Sequence, residues 1–337
     1  MSSLRSVARS TPRAVIPQRQ LRDALSTEQL ELHYQPIVDL RSGRTRGVEA
    51  LLRWRVHGSL LMPDDFLPAV AHTPVMRELT RWVIDVACAQ ARHWPDWTVS
   101  VNVTALDVTR PDLVDNVSQA LRRNDLGPER LVLELTEHAA VQGMEAAGDV
   151  LHRLRQLGVG VALDDFGTGY SSLLYLRDLP ITEVKIDRTF VAGVDRLDDD
   201  AAIVDSVVRL ARNVGLQVVA EGVETVTQAT FLRQVGCSFA QGYLYARPAP
   251  PTEVSVQPLA PTLGGLGDVT AGRPRPARRQ LAGGALPQPV LCRISALSAE
   301  GASLHTIAAA LNHDGAVTPS GTRWSAASVA RALRDQA

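Results

Sequence analysis

The chain has 337 residues, of which 45% are hydrophobic and 21% charged, ordinary values for a globular protein with core enough for two domains or one large α/β barrel. This composition excludes wholesale disorder, collagen and coiled coil, and no apolar run approaches the roughly 18 residues of a membrane helix or forms a secretory signal after the arginine-rich start. The net charge of −1 hides a segregation: residues 1–22 carry five arginines and no acid, residues 253–337 carry eight arginines against five acids, and the body between them stands at −9.

These features predict a cytoplasmic protein with no membrane partner. Residues 1–22 read as a basic, disordered tail. Cys88, Cys237 and Cys292 show no CxxC spacing, and the eight histidines no HxH or HExxH spacing, so neither a disulfide framework nor a zinc site is expected. From about residue 30 to 248, short β-rich runs alternate with longer amphipathic stretches. Strands are predicted at Leu32–Gln35, Gly47–Leu52, Val99–Val103, Leu131–Leu135, Gly160–Leu163, Glu183–Ile186, Gln217–Ala220 and Phe239–Gly242. Helices fall near 75–93, 112–124, 142–157, 201–213 and 226–235; in the fourth, Ala201, Val204, Val207, Val208 and Ala211 recur at the spacing of one buried face. Eight strands with intervening helices predict an α/β fold, a TIM-like (β/α)8 barrel on a parallel sheet, over residues 23–250. An open doubly wound sheet is the rival, but no GxGxxG follows the first strand. Residues 251–289 read as a linker, since 248–289 hold nine prolines and six glycines. A small helical, helix-turn-helix-like module then occupies 290–337, with Ser303 and Ser325 as N-caps and Asn312 and Gly315 closing the first helix.

The chemistry lies at the carboxyl ends of the predicted strands. In order they deliver Glu49, Asn102, Glu134, Asp164 with Asp165, Lys185, Glu221 and Gln241, on the face where barrel enzymes build their sites. Strands end at water, so one charged end needs no special cause; the same outcome at seven ends, inside apolar stretches such as VLELTE and VALDDFG, does. Clustered carboxylates repel unless a cation lies among them, and oxygen donors from Glu, Asn and Asp suit Mg²⁺ or Mn²⁺, with ligands enough for two ions. Of the 35 basic residues, Lys185 alone is lysine. That marks either a site needing a compact ammonium, able to approach a water or to shift its pKa, or a chance survivor at a surface strand end.

The runs YQPIVDL (34–40), GVEALLRW (47–54), VNVT (101–104), LELTE (133–137), LDDFGTGYSSL (163–173), VKID (184–187), VAEGVET (219–225) and AQGY (240–243) together resemble the EAL family of cyclic-di-GMP phosphodiesterases. The resemblance implies a TIM-like barrel, commonly a homodimer, that hydrolyses bis-(3′-5′)-cyclic dimeric GMP to linear pGpG with Mg²⁺ or Mn²⁺. Position by position it implies Glu49, Asn102, Glu134, Asp164 and Asp165 as metal ligands, and Lys185 and Glu221 as the residues holding the nucleophilic water, with Glu49 counted among the catalytic groups. Gln35, Arg53 and Gln241 are expected to meet the dinucleotide, Arg53 facing a phosphate, and Glu137 to anchor the DDFGTGYSS loop. The chain departs from the family pattern at Ala71–Met76 and lacks a His-Pro pair in 55–61, while Thr104 keeps the hydroxyl of the usual serine. The competing class is a non-catalytic cyclic-di-GMP receptor; receptors of this fold usually lose ligands, and this chain retains them all.

IAAALNHDGAVTPSGTRWSAASVARAL, residues 307–333, resembles part of the DNA-binding region of large serine recombinases. Two readings stay open. One helix could enter a major groove beside Arg273, Arg275, Arg278 and Arg279, or the module could be an appendage that packs on the barrel or binds protein. Trp54, Trp82, Trp94 and Trp97 are expected in the barrel core, and Trp324 in the core of the small module.

Overall fold

A computed structural model describes residues 18–137, 144–167 and 179–254, and in the C-terminal part residues 290, 293–294, 297, 304–313, 324, 328–329 and 332. The chain divides into two compact units, Met1–Leu263 and Gly264–Ala337. In the first, the strands are β1 (Leu30–Asp39), β2 (Thr45–Val56), β3 (Ser59–Leu61), β4 (Thr98–Asn102), β5 (Leu131–Thr136), β6 (Gly160–Phe166), β7 (Glu183–Ile186), β8 (Gln217–Ala220) and β9 (Phe239–Ala240). Their order is β1-β9-β8-β7-β6-β5-β4-β2-β3, and a further β1–β2 pairing closes eight of them into a barrel. The expected helices are present as Pro74–Ala91, Asp112–Arg123, Met144–Leu157, Asp198–Asn213 and Val226–Val235.

The sheet is not wholly parallel, as the alternation of strands and helices had suggested. β1 runs antiparallel to both β2 and β9, while β2 and β4 to β9 are mutually parallel. The cause is the connection: only the residues between Asp39 and Thr45 join β1 to β2, whereas a parallel crossover takes a dozen or more. The Asp39 carboxylate holds that turn, accepting from the Arg41 and Ser42 amides at 3.0 and 2.7 Å. A second difference concerns the tail expected over 1–22. Residues Gln18–Leu25 form a helix whose Leu21 and Ala24 are buried in the core, so its arginines ride on an amphipathic helix. Residues 1–17 lie outside the described residues.

Period-two alternation puts the two faces of each strand to different uses. On β2, Val48, Ala50, Leu52 and Trp54 join the main core, and Glu49 and Arg53 fall on the opposite face. Aromatic residues fill the layer beneath the helices as expected: Tyr34 meets Trp94 edge-on at 5.1 Å, Trp54 meets Phe66 at 5.4 Å, Trp97 is buried and Trp82 packs against the same core. The anticipated face of helix Asp198–Asn213 is buried through Val204, Val208 and Ala211. Segment 55–61 forms a hairpin: His57 (φ 48°) and Gly58 (φ 79°) make the two-residue turn between Val56 and Ser59, the left-handed pair that matches strand twist.

In the second unit, helix Leu304–His313 begins directly after Ser303. Trp324 is buried in a small core with Ile294, Ile307, Leu311 and Val329. Most of the second helix expected after Ser325, and residues 255–289, lie outside the described residues. No helix among the described residues is long and apolar enough to cross a membrane.

Gly222, next to Glu221, has φ +65°, and a Cβ there would lie 2.4 Å from the Arg188 Cβ; Gly58 is equally left-handed, at φ +79°, with no atom within 4 Å. Backbone strain alone costs about 1–2 kcal/mol, so Gly58→Ala should lower Tm by about 3 °C and Gly222→Ala by about 5 °C or more. Equal losses in calorimetry would show that the approach to Arg188 contributes nothing.

Candidate active site

The strand ends converge because the ladder continues beyond the strands. The Glu221 amide donates to Ile186 O at 3.0 Å and the Gln241 amide to Ala220 O at 2.8 Å, which fixes both residues at the barrel mouth. After Asn102 the chain is turned by a capping box. The Thr104 hydroxyl accepts from the Asp107 amide, and the Asp107 carboxylate accepts from the Thr104 amide at 3.0 Å. The consecutive acids Asp164 and Asp165 would face opposite sides of a regular strand. The register between β6 and β7 shifts between Leu163 and Phe166, and Asp165 adopts φ 55°, a bulge that turns both toward the mouth.

At the centre stands Lys185, with no exposed surface. Its Nζ lies 2.7 Å from Glu134 Oε2, 2.6 Å from Glu221 Oε1, 3.4 Å from Glu49 Oε2 and 3.5 Å from Asp164 Oδ1. The second of the two readings of this lysine, a surface strand end, is therefore excluded. Glu49 is held on three sides, by Lys185, by Asn102 Nδ2, which donates to its Oε1 at 2.8 Å, and by Gln241 Nε2, which donates to its Oε2 at 2.6 Å. Gln241 Nε2 also donates to Gln35 Oε1 at 2.9 Å, and Gln35 Nε2 in turn to Ala246 O at 3.0 Å. Arg53 is buried with one donor on Leu52 O at 2.8 Å. Glu137 accepts from the Gly167 amide at 3.2 Å. Residues 168–178, the rest of the loop Glu137 was expected to anchor, lie outside the described residues.

Burial and charge separate these groups. Burial would discharge Lys185, but Glu134, Glu221, Glu49 and Asp164 outweigh it and hold the ammonium well above its ordinary pKa. It is a fixed cation and not a base. Burial also pushes Glu134 well above the carboxylate range, with Lys185 opposing and Glu49 and Asp164 reinforcing. Burial pushes Glu221 up to about 8 against the same lysine. For Glu49 burial is outweighed by Lys185 and by the bonds from Gln241 and Asn102, so it falls below the usual value and stays ionised. Asp165 is raised by burial, by Asp164, and by Asp187, with which it shares a hydrogen bond.

The donor set fits a hard divalent cation. Oxygens of Asp164, Asp165 and Glu221 lie within 4.8 Å of one another, and Glu134 Oε1 is a buried acceptor with no hydrogen-bond partner among the described residues. Glu221, expected beside the attacking water, thus joins the two aspartates, while Glu49, Asn102 and Glu134 form the adjoining wall. Asp187 went unnoticed in the sequence; it is buried, N-caps the turn Arg188–Val191 and touches Asp165. Its position as the last residue of VKID, at a strand end like the others, was the available signal.

Residues 18–248 match the EAL domain family, and residues 288–337 match the Recombinase family. The bifunctional diguanylate cyclase/cyclic di-GMP phosphodiesterase MucR of Pseudomonas aeruginosa is 48% identical over 237 residues, which cover 68% of this chain and 34% of MucR. The cyclic di-GMP phosphodiesterase NbdA of the same organism is 42% identical over 240 residues, covering 69% of this chain and 30% of NbdA. This chain therefore spans about a third of the length of these curated relatives. Among solved structures, the PaMucR phosphodiesterase in complex with c-di-GMP has a TM-score of 0.66 at 47% identity, covering 69% of this chain and 96% of that one. The EAL domain of Mycobacterium smegmatis DcpA has a TM-score of 0.58 at 36% identity, covering 67% and 94%. The eight-strand barrel, its acidic mouth and the match over residues 18–248 agree, and the chain belongs to the EAL domain family.

Proposed function

We propose that the barrel hydrolyses cyclic-di-GMP to linear pGpG with Mg²⁺ or Mn²⁺, through two ions, and so lowers the level of this second messenger. The observation that carries the reading is the cage itself: every residue of the expected donor set is present, and four carboxylates surround one enclosed ammonium. The MucR domain, similar over nearly its whole length, binds c-di-GMP, which supports the substrate. The family resemblance further supports a homodimer formed through the barrel and action in the cytoplasm.

A phosphodiester is anionic and resists neutral water; a bound divalent ion supplies positive charge at its non-bridging oxygens and makes the water more acidic. Asp164, Asp165 and Glu221, with Glu49, Asn102 and Glu134, would hold the ions. Lys185 donates to the attacking water and fixes its place without taking its proton, because its ammonium is held charged. Glu221, in contact with that ammonium, would hold an ion together with the two aspartates. Arg53 has donors that are uncommitted among the described residues and could meet a phosphate, and Gln241 couples the Gln35 wall to Glu49.

A second reading concerns residues 290–337 alone and is favoured by the Recombinase match over 288–337: a DNA contact made by the small unit. The full chain should then retard genomic DNA fragments in an electrophoretic shift, and Arg323→Glu with Arg331→Glu should remove the effect. No retardation at low salt would contradict this reading.

Purified protein given cyclic-di-GMP with Mg²⁺ or Mn²⁺ should release pGpG, and absence of product with both metals would reject hydrolysis in favour of pure ligand binding. Glu49→Ala should abolish turnover in a folded protein, since it strips the acceptor shared by Asn102, Gln241 and Lys185. Lys185→Arg should lower kcat at least about 100-fold, because a guanidinium cannot occupy the same point. It should also lose about 1–3 kcal/mol of stability by overpacking an enclosed site. Activity within a few-fold of the parent would remove Lys185 from the reaction.

A further inference from the structure

The segment after β9 carries a pair of side chains that the cage does not use. Tyr243 is 51% exposed, and the Arg247 guanidinium lies over its ring, 3.9 Å from the centroid. Such a contact restrains the guanidinium against the ring. Arg247 is itself exposed, and among the described residues nothing accepts a hydrogen bond from it or forms an ion pair with it. Among the described residues all five of its donors are uncommitted.

The pair is held at the barrel mouth by neighbours on both sides. Gln241, two residues before Tyr243, donates to Glu49 at 2.6 Å, and the Leu244 amide donates to Val223 O at 2.9 Å. Ala246 O accepts from Gln35 at 3.0 Å, and Ala249 exchanges backbone hydrogen bonds with Tyr34 on β1. The ring and its guanidinium therefore stand on the rim of the acidic site, on a segment tied to Gln35 and Glu49.

Ions and Arg53 would serve the phosphodiester of any cyclic dinucleotide; they do not distinguish guanine from adenine. A guanidinium restrained against a ring, with an edge left to donate, does. Two parallel N–H groups match the O6 and N7 acceptors of guanine, whereas adenine presents an N6 donor against one of them. The aromatic ring adds a stacking face for a base. We propose that the stacked Tyr243–Arg247 pair is a guanine-reading subsite: one base of the substrate packs against the pair, and the guanidinium edge donates to its O6 and N7. This rests on the cyclic-di-GMP reading above and deepens it from the phosphodiester to the base.

The test is steady-state turnover of cyclic-di-GMP by the metal-loaded full chain, with cyclic-di-AMP as competitor. Arg247→Met should raise KM for cyclic-di-GMP about tenfold or more and leave the inhibition constant of cyclic-di-AMP unchanged. A loss confined to binding keeps kcat within about threefold. Arg247→Lys should resemble Arg247→Met, because it keeps the charge and loses the fork. Tyr243→Phe should keep the parental KM and Tyr243→Leu should not. Rescue by Arg247→Lys, or equal weakening of both dinucleotides, would reveal charge pairing with phosphate and overturn the guanine reading, as would an unchanged KM in Arg247→Met. A parent protein that leaves cyclic-di-GMP intact fails the hydrolysis reading separately; the same variants are then compared by equilibrium binding of the two dinucleotides, under the same criteria. Absence of binding by the parent would overturn the subsite as well.

Discussion

One ammonium enclosed by four carboxylates is the interaction on which the barrel mouth depends. Lys185 touches residues from β2, β5, β6 and the end of β8, so a single side chain ties together strands distant in sequence. Its one positive charge does not balance Glu49, Glu134, Asp164 and Glu221, with Asp165 beside them. Burial raises Glu134 and Glu221, the neighbouring carboxylates reinforce it, and the excess of negative charge suits the mouth to a further cation. Removing one partner of such a buried set typically costs about 3–5 kcal/mol, and the enclosed space suits a compact ammonium better than the broader guanidinium used elsewhere in the chain.

The fold accommodates this concentration of charge through local departures from regular structure. Asp165 takes a left-handed conformation in a bulge, a strain of the kind met where side chains must be re-aimed for function. Thr104 with Asp107 and Thr225 with Gln228 form capping boxes just past the ends of β4 and β8, fixing the chain on either side of the charged cluster. Around them the outer faces of the strands and the helices pack in two large apolar clusters, so the polar mouth is carried on a rigid scaffold.

Much of this was legible in the residues. All eight barrel strands and the five longer helices follow from period-two and period-3.6 patterns, and the acids at strand ends stood out because they interrupt apolar runs such as VLELTE. The direction of β1 was misread, although the few residues between Asp39 and Thr45 exclude a crossover. The bulge that brings Asp164 and Asp165 to one side has no periodic signature, since it is a break in period. The full burial of Lys185 depends on four distant strands closing around it, which EVKID alone does not reveal. Asp187 was overlooked because a single acid after a strand is common. Helix Gln18–Leu25 was hidden by its arginines, with only Leu21, Ala24 and Leu25 to mark an apolar face.

A divalent cation would meet the charge deficit around Lys185. Without it, Glu221 holds a proton near neutral pH, because its carboxyl is pushed up to about 8. The native state then binds a proton that the unfolded chain releases near pH 4.5, so stability falls as pH rises between those values, and cation binding must expel the proton. The direct measurement is calorimetric titration of metal-stripped protein with Mn²⁺ at pH 7, in two buffers of different ionisation enthalpy. The account predicts saturable binding, proton release and a Tm that rises with metal and loses its decline toward pH 8. Binding heats independent of buffer, with no change in Tm, would contradict it.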